Sequence, residues 1–103
     1  MTGNPLLAGL RPTHPGELLR EDVFPALGRS KTEIARLLGI SRQTLHDILA
    51  ERQPVTPRMA LLVGKLTGTS AESWARMQAA FDLQAEAEAL GERLDTVPTL
   101  VAA

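Results

Sequence analysis

Residues Ser30–Leu49 read SKTEIARLLGISRQTLHDIL, and the spacing within them decides the fold. Ser30-Lys31-Thr32-Glu33 has the form of a capping box, in which the hydroxyl accepts from a backbone N–H and the carboxylate reaches back. Ile34, Ala35, Leu37 and Leu38 follow. Gly39 suits the left-handed cap that ends such a helix. Ile40 anchors the turn, and Ser41 opens a second helix with Leu45, Ile48 and Leu49 at spacings of three and four. The small Ala35, four residues before the glycine, lets the two helices approach closely. Two short helices joined by a tight glycine turn are the pattern of a helix-turn-helix. Burying Leu45 and Ile48 leaves Arg42, Gln43, Thr44 and His46 near the exposed leading end of the second helix. In such a module that end enters the major groove of DNA.

The side chains at that end have matching chemistry. An arginine fork fits guanine O6 and N7, which nominates Arg42, and a glutamine amide fits adenine N6 and N7, which nominates Gln43. The Thr44 methyl suits a thymine methyl, and His46 lies one position beyond Leu45 on the same helix. Lys31, Thr32 and Ser41 stand at helix N-termini, where backbone N–H groups favour a phosphate. Thr56 opens a further helix and is a candidate of the same kind. Arg52 and Arg58 flank this stretch and add sequence-independent attraction.

Outward from this centre the pattern predicts five helices and no strands. The first starts at Pro15, carries Leu18, Leu19 and Val23 on one stripe, and closes at Pro25 and Gly28. The fourth starts at Thr56-Pro57 with Met59, Leu62, Val63 and Leu66 inward, and ends at Gly68. A second capping box, Thr69-Ser70-Ala71-Glu72, opens a longer fifth helix reaching about Leu94, with Trp74, Met77 and Phe81 at helical spacing and with Gly91 and Pro98 marking its decay. The expected organisation is a flexible lead-in at 1–13, one all-α domain at 14–94, and a loose tail at 95–103.

Composition restricts the function classes. The chain has 103 residues, room for a single modest core. There is no cysteine, which removes disulfides, thiolate zinc sites and thiol nucleophiles. The two histidines, His14 and His46, are far apart, and no metal or cofactor is expected. His14 beside Pro15 reads as a helix-start residue, Trp74 and Phe81 as core, and Glu86, Glu88 and Glu92 as a solvated face. No phosphate loop, metalloprotease motif or nucleophile elbow is present, so an enzyme is not expected. No apolar run is long enough for a membrane span, and the expected location is the cytoplasm.

The net charge of −1 hides a division. Between Gly28 and Lys65 seven positive residues meet three negative ones, a window of +4. The remainder has four positive and nine negative residues, a balance of −5. A basic middle and an acidic tail imply two faces with different partners.

Residues 14–83 resemble the HigA-type antitoxins within the Xre-like, lambda-repressor-like helix-turn-helix class. The resemblance rests on His14-Pro15-Gly16-Glu17-Leu18-Leu19, on Ile34-Ala35-Arg36-Leu37-Leu38-Gly39-Ile40-Ser41-Arg42, and on Val55-Thr56-Pro57-Arg58-Met59-Ala60-Leu61. It closes with Gly68-Thr69-Ser70-Ala71-Glu72-Ser73-Trp74, Gln78 and Phe81-Asp82-Leu83. Such a resemblance implies a five-helix lambda-repressor-like domain that binds double-stranded operator DNA as a homodimer. It also implies neutralisation of a RelE/HigB-like, messenger-RNA-cleaving toxin and repression of the chain's own operon. The alternatives are a stand-alone Xre-type repressor without a toxin, and a helical module that binds protein only. The fifth helix, with part of the fourth, is the expected dimer contact.

Overall fold

The computed structural model describes residues 11–102, and all of its regular elements are helical. Helix α1 covers residues 15–27. It begins as α-helix at Pro15–Leu18, widens to a π turn at Leu19–Val23, and returns to α-helix at Phe24–Leu27. The others are α2 (Lys31–Leu38), α3 (Arg42–Leu49), α4 (Pro57–Thr67), α5 (Ala71–Leu90) and α6 (Glu92–Asp95).

Two expectations about helix ends change. Pro25 does not close α1. The N–H of Phe24 bonds the carbonyl of Leu19, and this wide turn carries the chain past the proline, whose ring would press on the Glu21 carbonyl in a regular helix. Only Gly28, at φ 65°, ends the helix. The fifth helix does not run unbroken to Leu94. Gly91, at φ 52° and ψ −129°, breaks it after Leu90 and leaves α6 as a separate turn, so the described chain has six helices.

The caps are side-chain caps, as the sequence predicts, with two differences. Ser30, Ser41 and Thr56 accept from the N–H groups of Glu33, Thr44 and Met59. Glu33, however, does not complete a box; its carboxylate pairs with Arg29 at 2.9 Å. At α5 the cap is Ser70, accepting from Ser73, and Thr69 instead accepts from the indole N–H of Trp74 at 2.7 Å.

The core is one cluster. Leu19 and Phe24 of α1 meet Ile34, Ala35 and Leu38 of α2, Leu45, Ile48 and Leu49 of α3, Met59, Ala60 and Val63 of α4, and Trp74 of α5. Ile34 and Leu45 are 1% and 2% exposed, so the apolar sides of α2 and α3 are both sealed inside. Gly16 is where α1 crosses α3. A Cβ there would stand 2.0 Å from the carbonyl oxygen of Ile48, a distance backbone atoms do not tolerate. His14 caps α1, its Nδ1 accepting the N–H of Gly16 at 2.9 Å, and its ring meets Phe81 edge-on at 4.9 Å.

Helix α5 is held by its first half. Trp74 and Gln78 are buried and Phe81 is half-buried, whereas every residue from Asp82 to Leu90 is exposed. Gln78 ties α5 to the segment before α4: its Oε1 accepts the buried N–H of Val55 at 2.8 Å, and its Nε2 donates to Asp82. Most of the expected lead-in, 1–10, lies outside the described residues. Residues 11–13 do not trail away, since Pro12 is half-buried and Arg11 pairs with Glu88 of α5. Among the described residues no helix is long and apolar enough to cross a membrane, and no group of three or more acidic or histidine residues is placed to hold a metal.

Candidate nucleic-acid interface

Helix α3 is fixed at both ends. At its start, Ser41 Oγ accepts the N–H of Thr44 at 3.0 Å and donates to the Thr44 hydroxyl at 2.8 Å. At its end, Arg20 from the π turn donates to the carbonyl of Leu49 at 2.7 Å and to Glu51 at 3.3 Å. A cation at the negative end of a helix satisfies a carbonyl that has no partner within the helix. With Leu45, Ile48 and Leu49 buried, rotation of α3 about its axis is fixed too.

This fixing exposes Arg42, Gln43 and His46, while Thr44 is half-buried. Lys31, Arg42, Gln43 and His46, with the edge of Leu45, line one concave surface. The structure therefore brings four of the sequence-nominated residues to one place. Ser41 stands directly before them, its hydroxyl engaged in capping. Thr32, Thr56 and Arg58 are exposed but lie outside that lining, and the Thr56 hydroxyl is taken by the Met59 N–H at 3.2 Å.

The basic window separates into paired and unpaired charges. Arg29 and Arg36 share Glu33, and Arg52 pairs with Asp47 at 2.8 Å. Among the described residues, Lys31, Arg42, Arg58 and Lys65 have no acidic group within 4.0 Å. The uncompensated positive charge thus includes two residues of the concave surface. An anionic ligand is attracted there without first breaking an ion pair.

Asp47 was not singled out in the sequence. It lies one turn beyond Gln43, accepts from Gln43 Nε2 at 2.9 Å, and receives Arg52 through Nε at 3.3 Å and Nη2 at 2.8 Å. Gln53 Nε2 reaches its other oxygen at 3.4 Å. The hydrogen bond from Arg52 holds the Asp47 carboxyl below its ordinary pKa, with Gln43 and Gln53 acting in the same direction against partial burial. The four-residue spacing from Gln43 to Asp47 was the available signal. The Arg52 and Gln53 contacts had none, because they depend on a turn through Glu51 at φ 64°, in the left-handed region.

Residues 19–74, which include all of α2, α3 and α4, match the helix-turn-helix family. Virulence-associated protein I of Dichelobacter nodosus is 37% identical over 71 residues, which are 69% of this chain and 66% of that protein. The chain thus spans just under two thirds of that relative's length. Among solved structures, antitoxin GraA in complex with its operator superposes with a TM-score of 0.82 at 39% identity, covering 99% of this chain and 100% of that one. The antitoxin HigA of Pseudomonas aeruginosa with the higBA promoter gives a TM-score of 0.81 at 30% identity, covering 89% and 100%. With the cap-and-turn geometry of α2 and α3, these matches show that the chain belongs to the Xre-like helix-turn-helix family and has the fold of its HigA-type antitoxins.

Proposed function

We propose that this protein is an antitoxin that binds an operator as a two-fold dimer and neutralises a small RelE/HigB-like toxin. The observation that carries the DNA reading is the clamped α3, with Arg42, Gln43 and His46 outward beside the unpaired Lys31. Arg42 reads guanine and Gln43 reads adenine, while Lys31, Thr32, Ser41, Arg52, Thr56 and Arg58 approach phosphates. The related GraA and HigA structures, one with an operator and one with a promoter, support this reading.

The dimer reading is supported by the surface of α4 and α5. Leu61 is 66% exposed beside Pro57, Ala60, Ala71 and Ala75 in an apolar depression, and Leu83 is 73% exposed further along α5. A two-fold pair presents two copies of α3, one to each half-site of a palindrome. The toxin reading is supported by the antitoxin relatives and by the acidic balance outside residues 28–65.

Arg42→Ala tests the DNA reading. It is expected to lower specific operator affinity by about 1–3 kcal/mol while leaving thermal stability unchanged. Wild-type affinity in a gel shift would remove α3 from the reading role. Co-purification with the product of the adjacent gene tests the toxin reading; a chain that binds operator but retains no such partner is a stand-alone repressor.

A further inference from the structure

Of the polar side chains lining the concave surface, Lys31, Arg42, Gln43 and His46, Gln43 is the one held by a side-chain hydrogen bond among the described residues. Its Nε2 is 2.9 Å from Asp47 Oδ1. An ionised carboxylate only accepts hydrogen bonds, so the amide must turn its nitrogen toward Asp47. The Gln43 oxygen and its second N–H are then left adjacent and unspent, an acceptor beside a donor. Adenine offers the complement in the major groove, the N6–H donor beside the N7 acceptor. An amide free to turn over would present that pair in either order.

Asp47 is itself held. Arg52 forks onto Oδ1 with Nε and Nη2, and Gln53 approaches Oδ2. The backbone N–H groups of Arg52 and Gln53 both bond the carbonyl of Asp47, at 2.8 and 3.2 Å, so the turn that supplies these side chains is tied to the same residue. The Asp47 side chain is 19% exposed, on the flank of α3 rather than in the core.

We infer that Asp47 is a positioning residue for sequence readout: it holds the Gln43 amide in the orientation that selects adenine, and Arg52 and Gln53 hold Asp47. This rests on the operator-binding reading above and names the residue that sharpens it. Fixing the amide before binding also spares the ordering cost of that side chain at the interface. A carboxylate beside DNA otherwise repels phosphates, an effect that is the same for every sequence, or accepts from a cytosine amino group, which would show as a cytosine preference at a position of its own.

The test uses the full-length chain and a pool of randomised DNA duplexes, with wild type, Gln43→Ala, Asp47→Ala, Asp47→Asn and the Gln43→Ala/Asp47→Ala double variant. Gln43→Ala is expected to flatten the preference at one position of the enriched motif, where wild type selects adenine. Both Asp47 variants are expected to weaken that adenine preference by on the order of fivefold and to leave the other positions alone. In the double variant the Asp47 change adds nothing at that position. Asp47→Asn keeps the shape of the side chain, so a loss of folding in Asp47→Ala leaves the test intact.

Retention of the adenine preference in the Asp47 variants overturns the inference while leaving operator binding standing. A uniform rise in affinity for all sequences does the same, as does a base other than adenine at the Gln43 position. A pool from which wild type enriches no motif overturns both readings.

Discussion

Helix α3 has 8 residues and α5 has 20, yet the shorter one is the better fixed. The first is capped by Ser41, clamped by Arg20 and buried on three side chains. The second is anchored by Trp74, Gln78 and Phe81 and then runs on with every side chain exposed. An isolated helix as short as α3 is marginal in water, and in a folded protein packing of the apolar face supplies most of a helix's stability. The two exposed surfaces also differ in kind. Polar groups on a fixed helix suit directional hydrogen bonding; Leu83 and Leu90 on a projecting helix suit non-directional burial against another chain.

The contrast is broken most severely from the α3 side. Gly16→Ala drives a methyl group into the Ile48 carbonyl, and a loss of about 3 kcal/mol or more is expected in urea unfolding. A variant of wild-type stability would mean that α1 does not press on α3 there. The boundary within α5 is probed by Gln78→Leu, which strips the buried Val55 N–H of its acceptor. Its expected loss is about 1–3 kcal/mol in the same measurement. Among the described residues, truncation after Asp82 removes only exposed side chains and the surface pair of Arg11 with Glu88. Monomer stability should change by less than about 1 kcal/mol, whereas dimer mass in sedimentation and operator affinity should fall together. An intact dimer after truncation would free the far half of α5 from any role in association.

The smallest effect lies where the two regions meet. Burial pushes the pKa of His14 below the ordinary imidazole range, against the opposing pull of Glu51 and Asp82. Protonation would also end the acceptance by Nδ1 of the Gly16 N–H. The stability contributed by neutral His14 is full above the unfolded pKa and is lost as pH falls below it, because the unfolded chain takes up the proton more readily. Unfolding curves at about pH 7.5 and about pH 5.5 should diverge less in His14→Gln than in wild type. Equal divergence in the two proteins would contradict this assignment.

The parts of the fold that sequence reading recovers are those with local causes. Ser30, Ser41 and Thr56 act within three residues of themselves, so their caps are readable without any tertiary knowledge. The exposure of Arg42, Gln43 and His46 follows from the spacing of Leu45, Ile48 and Leu49. Long-range contacts leave no such trace. Gln78 reaches Val55 across 23 residues, and Arg20 reaches Leu49 across 29. The run His14-Pro15-Gly16 announces a helix start, but the demand for a bare Cα at Gly16 appears only where Ile48 crosses it. Pro25 reads as a breaker because the wider turn that accommodates it has no pattern of its own in the chain.

The clamp at the trailing end of α3 has an evolutionary consequence. The contacts that keep the helix in place, through Arg20, Gly16, Leu45 and Ile48, involve none of Arg42, Gln43 or His46. Exposed positions of that sort tolerate replacement within about 0.5 kcal/mol of stability. Under the proposed operator-reading role, descendants of this chain are thereby free to drift toward new target sites by single exchanges at the leading end, without passing through an unfolded ancestor.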